Sequence, residues 1–150
     1  MLRLRVIAFT SAHPKKLRNL FARLFSTASA PPTIHSGPIV TSHRSKFQAH
    51  CTRIQTTAQI PHILNTIKDS KKMKSATHQM VAYRLPSGET GKDDDGEGGA
   101  GERLVTLLEK RGDLGVLVVV TRWYGGVKLG GERFRIITGC VKELLESVKM

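Results

Sequence analysis

Acidic residues are missing from a large part of this chain. None of its 12 aspartates and glutamates precedes Asp69, although the chain has 150 residues. Its 24 lysines and arginines give a net charge of +12, and half of that excess lies in the first 43 residues. Such a basic chain favours anionic partners such as RNA, the ribosome or acidic protein surfaces. Aromatic residues make up only 5% of the chain, which argues against a broad base-stacking platform.

Cysteines and long apolar runs are also scarce. Cys51 and Cys140 are the only two cysteines, and they form no Cys-x-x-Cys pair, which argues against a disulfide framework and a zinc site. Both fall on predicted apolar faces, so we expect buried structural thiols. The longest apolar run, Val116–Val120, is too short to cross a bilayer, and we expect no membrane insertion.

Residues 1–40 differ in composition from the rest of the chain. Leu17, Leu20, Phe21 and Leu24 repeat at helical spacing among basic side chains. This amphipathic, basic and acid-free pattern is typical of a mitochondrial transit peptide; the alternatives are a disordered basic arm and a mispredicted start of the gene. We therefore expect a basic leader over residues 1–40, one domain over residues 41–150 and a mitochondrial location, with the cytoplasm as the alternative.

The remaining residues predict a small α+β domain. Four segments show the alternation or the unbroken apolar run of β-strands: 34–40, 45–54, 77–85 and Val116–Val120. Apolar residues at helical spacing predict three helices: one beginning near Ile60, one around Leu104 and one after residue 131. This order predicts helices packed on one face of a small mixed sheet, with Val116–Val120 as a central strand and residues 86–101 as a loop.

The acidic part of that loop is a partial match to a calcium-binding loop. Several positions agree, but Gly91 stands where the first aspartate of such a loop should be, and no helix leads into it. Asp95 and Glu97, with Asp94 beside them, are candidates for a hydrated magnesium ion rather than a closed calcium site. We therefore expect no metal and no cofactor.

The segment Thr121–Gly131 is the most distinctive of the chain, because repeated glycines join a buried strand to a helix. Glycines let backbone N–H groups turn toward a ligand, and the start of a helix adds positive potential. We predict an anion-binding or RNA-binding site from five residues: Arg122, Gly125, Gly126, Lys128 and Gly130. The alternative is that Arg122 pairs with an acidic loop residue and that the glycines only permit close packing.

Support for catalysis is thin in the sequence. No serine or cysteine pairs with a histidine at a readable spacing, and the Lys-Ser/Thr of a Walker A loop is missing after Gly130. His78 and Arg84 share one face of a predicted strand but lie roughly 20 Å apart. The alternative to a binding protein is an enzyme acting on a small anionic or phosphorylated substrate, possibly metal-assisted, with His78 as acid or base.

Four ordered segments resemble the IMPACT family over residues 36–148. They are Arg44-Ser45-Lys46-Phe47-x-Ala49, Ala76-Thr77-His78-x-x-x-Ala82-Tyr83-Arg84, Asp94-Asp95-Gly96-Glu97 with Ala100-Gly101, and Val118-Val119-Val120-Thr121-Arg122-Trp123-Tyr124-Gly125-Gly126-x-Lys128-Leu129-Gly130. The resemblance implies a split β-α-β sandwich, as in some ribosomal proteins and a domain of elongation factor G. It also draws attention to the matching motif residues: His78, Tyr83, Arg84, Asp94, Asp95, Gly96 and Glu97.

The resemblance carries an expectation about function. The better known eukaryotic relatives regulate translation during amino-acid starvation, by competing for a ribosome-associated activator of an initiation-factor kinase. An RWD domain precedes the IMPACT domain in those relatives, whereas here a short basic leader takes that place, and Gln79 stands where relatives often carry Asn. We therefore expect a non-catalytic regulatory or binding protein linked to translation or its stress control. Its expected partners are the ribosome, RNA or a translation-control protein, with no DNA specificity.

Overall fold

The computed structural model of the protein describes residues 30–150. The apolar repeat of the predicted transit peptide lies outside these described residues. Within them, Pro32–Met150 form one compact unit.

Six strands of this unit form a single sheet. They are β1 His35–Ser36, β2 Val40–Ser42, β3 Ser45–Arg53, β4 His78–Arg84, β5 Thr90–Asp93 and β6 Val116–Trp123. Strand β6 lies in the middle, between β3 and β4, as its unbroken apolar run predicts. Strand β5 adds to β4 at one edge, and β1 and β2 both pair with β3 at the other.

The sheet has the predicted split β-α-β arrangement, but it is not mixed. Strands β3 and β4 are both antiparallel to β6, so they run in the same direction with β6 inserted between them. That insertion separates the two parallel strands, and every strand pair in residues 30–150 is antiparallel. The α+β class is confirmed, and the mixed character of the sheet was wrong.

Three helices cover the sheet of this unit, and they do not share one face. They are α1 Ile60–Lys68, α2 Ala100–Arg111 and α3 Glu132–Ser147. Helices α2 and α3 pack on the face that carries Met80 and Val118, whereas Ile63 of α1 packs on the opposite face with Val81 and Val119. The prediction of one covered face was wrong for α1. Alternate apolar residues of β6 point to opposite sides, so both sides need a covering layer.

Two local differences concern the edges of the sheet. The strand predicted over 34–40 is present as the two short strands β1 and β2, so the chain enters the sheet before residue 41. The predicted loop 86–101 contains β5, whose residues pair with β4 from Val81↔Asp93 to Arg84↔Thr90. Strand β5 has no apolar alternation in its sequence. Its strand conformation therefore results from pairing with β4 and not from its own residue pattern.

Both cysteines are buried free thiols, as expected. Burial raises the pKa of Cys51 and of Cys140 to about 11, which keeps them protonated at neutral pH. Within residues 30–150, none of the helices has the length and apolar composition needed to span a membrane.

The burial of His50 of β3 leads us to expect a pH-dependent stability of the domain. Its side chain is 4% exposed, and its Nδ1 lies 2.8 Å from the Ser36 hydroxyl. Burial lowers the pKa of His50 from 6.5 to about 4, because the charged imidazolium is poorly solvated there. Between these values the unfolded chain binds the proton more readily than the folded chain does. The contribution of His50 to the free energy of unfolding is therefore fully present above its pKa in the unfolded chain. It is lost as the pH falls toward its pKa in the folded protein.

We expect the free energy of unfolding to fall by up to about 3 kcal/mol through His50 between about pH 7 and pH 4. Urea unfolding over this pH range would measure the loss. The His50→Gln variant should show a shallower pH dependence, whereas His62→Gln, on an exposed position of α1, should behave as the unmodified protein. An unchanged pH dependence in His50→Gln would contradict the assignment.

Candidate functional site

The glycine loop after β6 borders a surface pocket of about 360 Å³, a volume in the range of small-ligand sites. Its lining comes from the start of β4 and the residue before it, the acidic loop, the end of β6, the glycine loop and the start of α3: Thr77, His78, Glu97, Arg122, Tyr124, Lys128, Leu129, Gly130 and Arg133. The sheet register brings two of the predicted residues together. Arg122 of β6 lies directly opposite His78 of β4, and opposite Phe47 of β3 on its other side. All three side chains therefore share one face.

Arg122 and Glu97 form a buried ion pair at the base of the pocket. Arg122 is 4% exposed and Glu97 is 5% exposed. The Arg122 Nη1 donates to both carboxylate oxygens of Glu97, at 2.8 and 2.6 Å. A buried guanidinium requires such a partner, because an unpaired charge in the interior is costly. The structure thus realises the alternative interpretation for Arg122, which is paired with an acidic loop residue instead of standing free for a ligand.

Glu97 is shared by a second arginine and approached by His78. Arg133, in the first turn of α3, places its Nε 2.6 Å from Glu97 Oε1. The His78 Nδ1 lies 2.7 Å from the Asp95 carbonyl oxygen. Because a carbonyl can only accept a hydrogen bond, Nδ1 carries a hydrogen, and Nε2 faces Glu97 at 3.7 Å. The carbonyl contact therefore fixes the orientation of the imidazole at the pocket wall.

The pocket carries an excess of positive charge. Three permanent cations line it, Arg122, Arg133 and Lys128, against the single carboxylate of Glu97. Lys128 is exposed, and within residues 30–150 no acidic side chain lies within ion-pair distance of it. With His78 neutral, the lining has a formal charge of two positive units, which favours an anionic ligand.

The aspartates of the acidic loop have structural partners. Asp94 accepts hydrogen bonds from the backbone N–H groups of Gly99 and Gly101, at 3.0 and 2.6 Å, and so satisfies the start of α2. These bonds lower the pKa of Asp94. Asp95 accepts from the backbone N–H of Gln79 at 2.7 Å.

The candidate magnesium ligands from the sequence, Asp95 and Glu97, are therefore not arranged as a metal site. Asp95 is bound to backbone, and Glu97 is bound to two guanidinium groups. The described part of the chain contains no group of three side chains that could hold a metal ion. Gly96 has a left-handed backbone, with φ of 84°, and a Cβ at this position would lie 3.3 Å from the His78 ring. Gly96 thus permits the turn that carries the loop past His78.

The glycines of the β6–α3 loop serve packing and turning. A Cβ on Gly125 would overlap the backbone carbonyl of Arg44 and lie 2.6 Å from the Ser45 nitrogen. The Gly125 N–H donates to the Ser45 hydroxyl at 3.2 Å, so this amide already has a partner. Gly126 and Gly130 have φ values of 86° and 56°, in the left-handed region that favours glycine. The prediction that the Gly125 amide turns toward a ligand is therefore corrected.

Two motif residues lie away from the pocket. Arg84 pairs in register with Val116 at the start of β6, whereas the pocket lies at the end of that strand. The Arg84 guanidinium contacts the Asp113 carbonyl oxygen at 3.5 Å. Tyr83 covers Gly91 of β5 on the other face of the sheet. Both residues lie at the opposite end of β4 from His78.

Sequence reasoning missed Arg133 and Tyr124. Tyr124 is 45% exposed at the pocket rim, and the Arg122 Cζ lies 5.3 Å from the centre of its ring. Arg133 stacks on Phe134, with 4.1 Å between its Cζ and the ring centre, and Arg103 of α2 stacks on the same ring at 3.8 Å. The adjacent aromatic and basic residues in the loop were a usable signal for Tyr124. Nothing local in the sequence distinguishes Arg133 from other helix arginines.

A second, larger depression of about 750 Å³ lies between β2 and α3. Its lining is Val40, Gly131, Glu132, Arg135, Ile136, Gly139, Cys140 and Glu143. Its charged groups are exposed, and it contains no buried ion pair to organise them. The smaller pocket therefore carries the more specific chemistry.

Comparison with known proteins places the chain in a family. Residues 43–145 match the Impact N-terminal domain. Protein IMPACT-B of Xenopus tropicalis and Protein IMPACT of Danio rerio are each 40% identical over 138 residues, which cover 87% of this chain and 44% of each relative. The Protein IMPACT homolog of Dictyostelium discoideum is 42% identical over 118 residues, 76% of this chain and 34% of that protein. The chain thus spans less than half the length of these curated relatives.

Solved structures agree in fold. A crystal structure of a hypothetical protein superposes with a TM-score of 0.67 at 24% identity, covering 78% of this chain and 58% of that chain. The structure of the two-domain translational regulator Yih1 superposes with a TM-score of 0.52 at 26% identity, covering 87% of this chain and 60% of that one. Because the Impact N-terminal domain matches more than half of this chain, the chain belongs to the IMPACT family.

Proposed function

We propose that this protein is a non-catalytic binding protein of translation control, which contacts RNA of the translation machinery through the surface around the pocket. The observation that carries the proposal is the excess positive charge of the pocket lining, in which Arg122, Arg133 and Lys128 stand against the single carboxylate of Glu97. The description of the similar protein Yih1 as a translational regulator supports the link to translation.

Further cations lie at the same end of the sheet as the pocket, but on its other face. Lys46 of β3 pairs in register with Trp123 at the end of β6. The Lys72 ammonium lies 5.8 Å from the centre of the Trp123 indole, whose Nε1–H donates to the Lys72 carbonyl at 3.1 Å. Lys46 and Lys72 are both exposed. Cations on both faces of the sheet at this end suit a phosphate backbone, which offers regularly repeated negative charges.

The enzymatic alternative has one observation in its favour. The pocket is of small-ligand size, and His78 is oriented with Nε2 facing Glu97. Against it, the donors of Arg122 and Arg133 occupy the Glu97 carboxylate, which is therefore not free to act as a base. In the part of the chain that the structure describes, the hydrogen-bond partner of the His78 ring is the Asp95 carbonyl, so the ring is not hydrogen-bonded to a serine, threonine or cysteine side chain. Binding is the better supported function.

Salt dependence tests the proposal. We expect the purified protein to bind ribosomes and ribosomal RNA with an affinity that falls steeply as salt rises, because each phosphate contact releases counterions. Lys128→Gln should reduce the slope of log affinity against log salt by about 0.7 to 0.9, the value of one contact. The charge-matched control is Lys142→Gln, at an exposed position further along α3.

Co-sedimentation with ribosomes and fluorescence anisotropy with labelled RNA would measure both quantities. Equal slopes for Lys128→Gln and Lys142→Gln would place the RNA surface elsewhere on the domain. Absence of any salt-sensitive association would overturn the RNA proposal and favour a protein partner.

A further inference from the structure

The pocket is built to hold more negative charge than one backbone phosphodiester carries. Its lining has a formal charge of two positive units, from Arg122, Arg133 and Lys128 against Glu97. An internal phosphodiester carries one negative charge, whereas a phosphate monoester carries about 1.5 to 2 at neutral pH. The monoester therefore matches the lining better.

Contacts within the protein hold three of the charged or polar groups of the pocket: Arg122, Arg133 and His78. Glu97 orients Arg133 through the 2.6 Å contact to its Nε, and the second contact of Arg133 goes to the Gly130 carbonyl. The buried Arg122 in turn holds Glu97. His78 is held by the Asp95 carbonyl. Groups positioned in this way lose little side-chain entropy when a ligand binds.

An aromatic ring stands at the rim of this charged pocket. Tyr124 is 45% solvent-exposed, and a cation already lies near its ring, since the Arg122 Cζ is 5.3 Å from the ring centre. Any of the four bases can stack on an exposed tyrosine ring, because every base has a π-face. A concave pocket for the phosphate with one ring beside it suits a single terminal nucleotide. The interior of a strand would need a continuous groove.

We infer that the pocket binds a phosphate monoester on a nucleotide, either free or at the end of an RNA strand, with its base on Tyr124. Lys128 and Arg133 contact the phosphate, and the His78 imidazole borders it. This inference rests on the proposed function, because both assign an anionic ligand to the surface around the pocket. It adds the chemical class of that ligand.

The experiment compares one eight-nucleotide RNA in three forms: with a 5′-phosphate, with a 3′-phosphate, and with hydroxyl groups at both ends. We expect one of the phosphorylated forms to bind the full-length protein about tenfold more tightly than the hydroxyl form, the gain expected of charge-assisted hydrogen bonds. Uridine monophosphate should compete for the site, and uridine should not. Competition by uridine monophosphate identifies the free nucleotide as a ligand in its own right.

Matched variants separate the pocket from general charge attraction. Lys128→Gln should remove most of the tenfold preference, and Lys142→Gln should retain it. Tyr124→Leu should weaken binding of uridine monophosphate while leaving competition by inorganic phosphate unchanged. Circular dichroism of each variant would verify that it is folded.

Two results would overturn the inference: equal affinities for the three RNAs together with no competition by uridine monophosphate, or a preference that persists in Lys128→Gln. If the first result comes with salt-sensitive binding of all three RNAs, the inference is overturned and the proposed function stays intact. Binding of uridine monophosphate without binding of any of the three RNAs would support the inference and overturn the RNA function.

Discussion

Replacing Glu97 by alanine is expected to lower the free energy of unfolding by about 3 to 5 kcal/mol, because it leaves the Arg122 guanidinium buried without a counter-charge. Urea unfolding at neutral pH would measure the loss. The size of the effect comes from burial, since a side chain in the interior has no water to replace the lost carboxylate.

The matched control is Glu102→Ala, which removes an exposed carboxylate that pairs with Lys92. Water solvates both partners of that pair, so the stability should stay close to that of the unmodified protein. A second variant, Glu97→Ala with Arg122→Met, should recover much of the loss, because it removes both buried charges together. A Glu97→Ala protein as stable as the Glu102→Ala protein would show that the Arg122–Glu97 pair is not buried in solution.

Gly125→Ala is expected to destabilise the domain by about 3 kcal/mol, the upper part of the usual range for steric overpacking. The added methyl group would overlap the backbone carbonyl of Arg44 and lie 2.6 Å from the Ser45 nitrogen. Backbone atoms cannot rotate away as a flexible side chain can, so the β2–β3 turn or the loop must shift. The hydrogen bond from the Gly125 N–H to the Ser45 hydroxyl would be disturbed as well.

Gly139→Ala is expected to have the opposite effect on the stability of the domain. Gly139 lies inside α3, and a Cβ there would have no heavy atom within 4 Å other than those of its chain neighbours and its own helical backbone. Alanine should therefore stabilise the helix by about 0.5 to 1 kcal/mol, by restricting the unfolded chain. Thermal unfolding followed by circular dichroism should show a lower Tm for Gly125→Ala and a higher Tm for Gly139→Ala. Equal Tm values for the two variants would contradict the close approach at Gly125.

The fold was predictable where side-chain periodicity carries the information. The unbroken run Val116–Val120 predicted a central strand, and the apolar spacing after Ile60 predicted α1. The side of the sheet covered by α1 was not predictable in the same way. It depends on how the chain crosses from β3 to β4 over the inserted β6, which is a relation between segments distant in sequence.

The sequence predicted which segment and which residue types form the site, but it predicted only some of the contacts between their side chains. The glycines and cations of Thr121–Gly131 pointed to the loop, and pairing of Arg122 with an acidic loop residue was one of two stated alternatives. Glu97 could not be singled out as that partner, because the acidic loop offers several carboxylates at similar distances along the chain. Arg133 could not be found, since its approach to Glu97 depends on the direction in which α3 leaves the loop.

Periodicity, charge and glycine content were thus enough to define the element types, the basic character and the segment that carries the site. These properties depend on neighbouring residues, whose geometry a short stretch of chain sets for itself. The partners of the buried charges followed only from folding. Residues from β4, the acidic loop, β6 and α3 meet at the pocket, and the desolvation that makes the Arg122–Glu97 pair necessary exists only once these elements have packed.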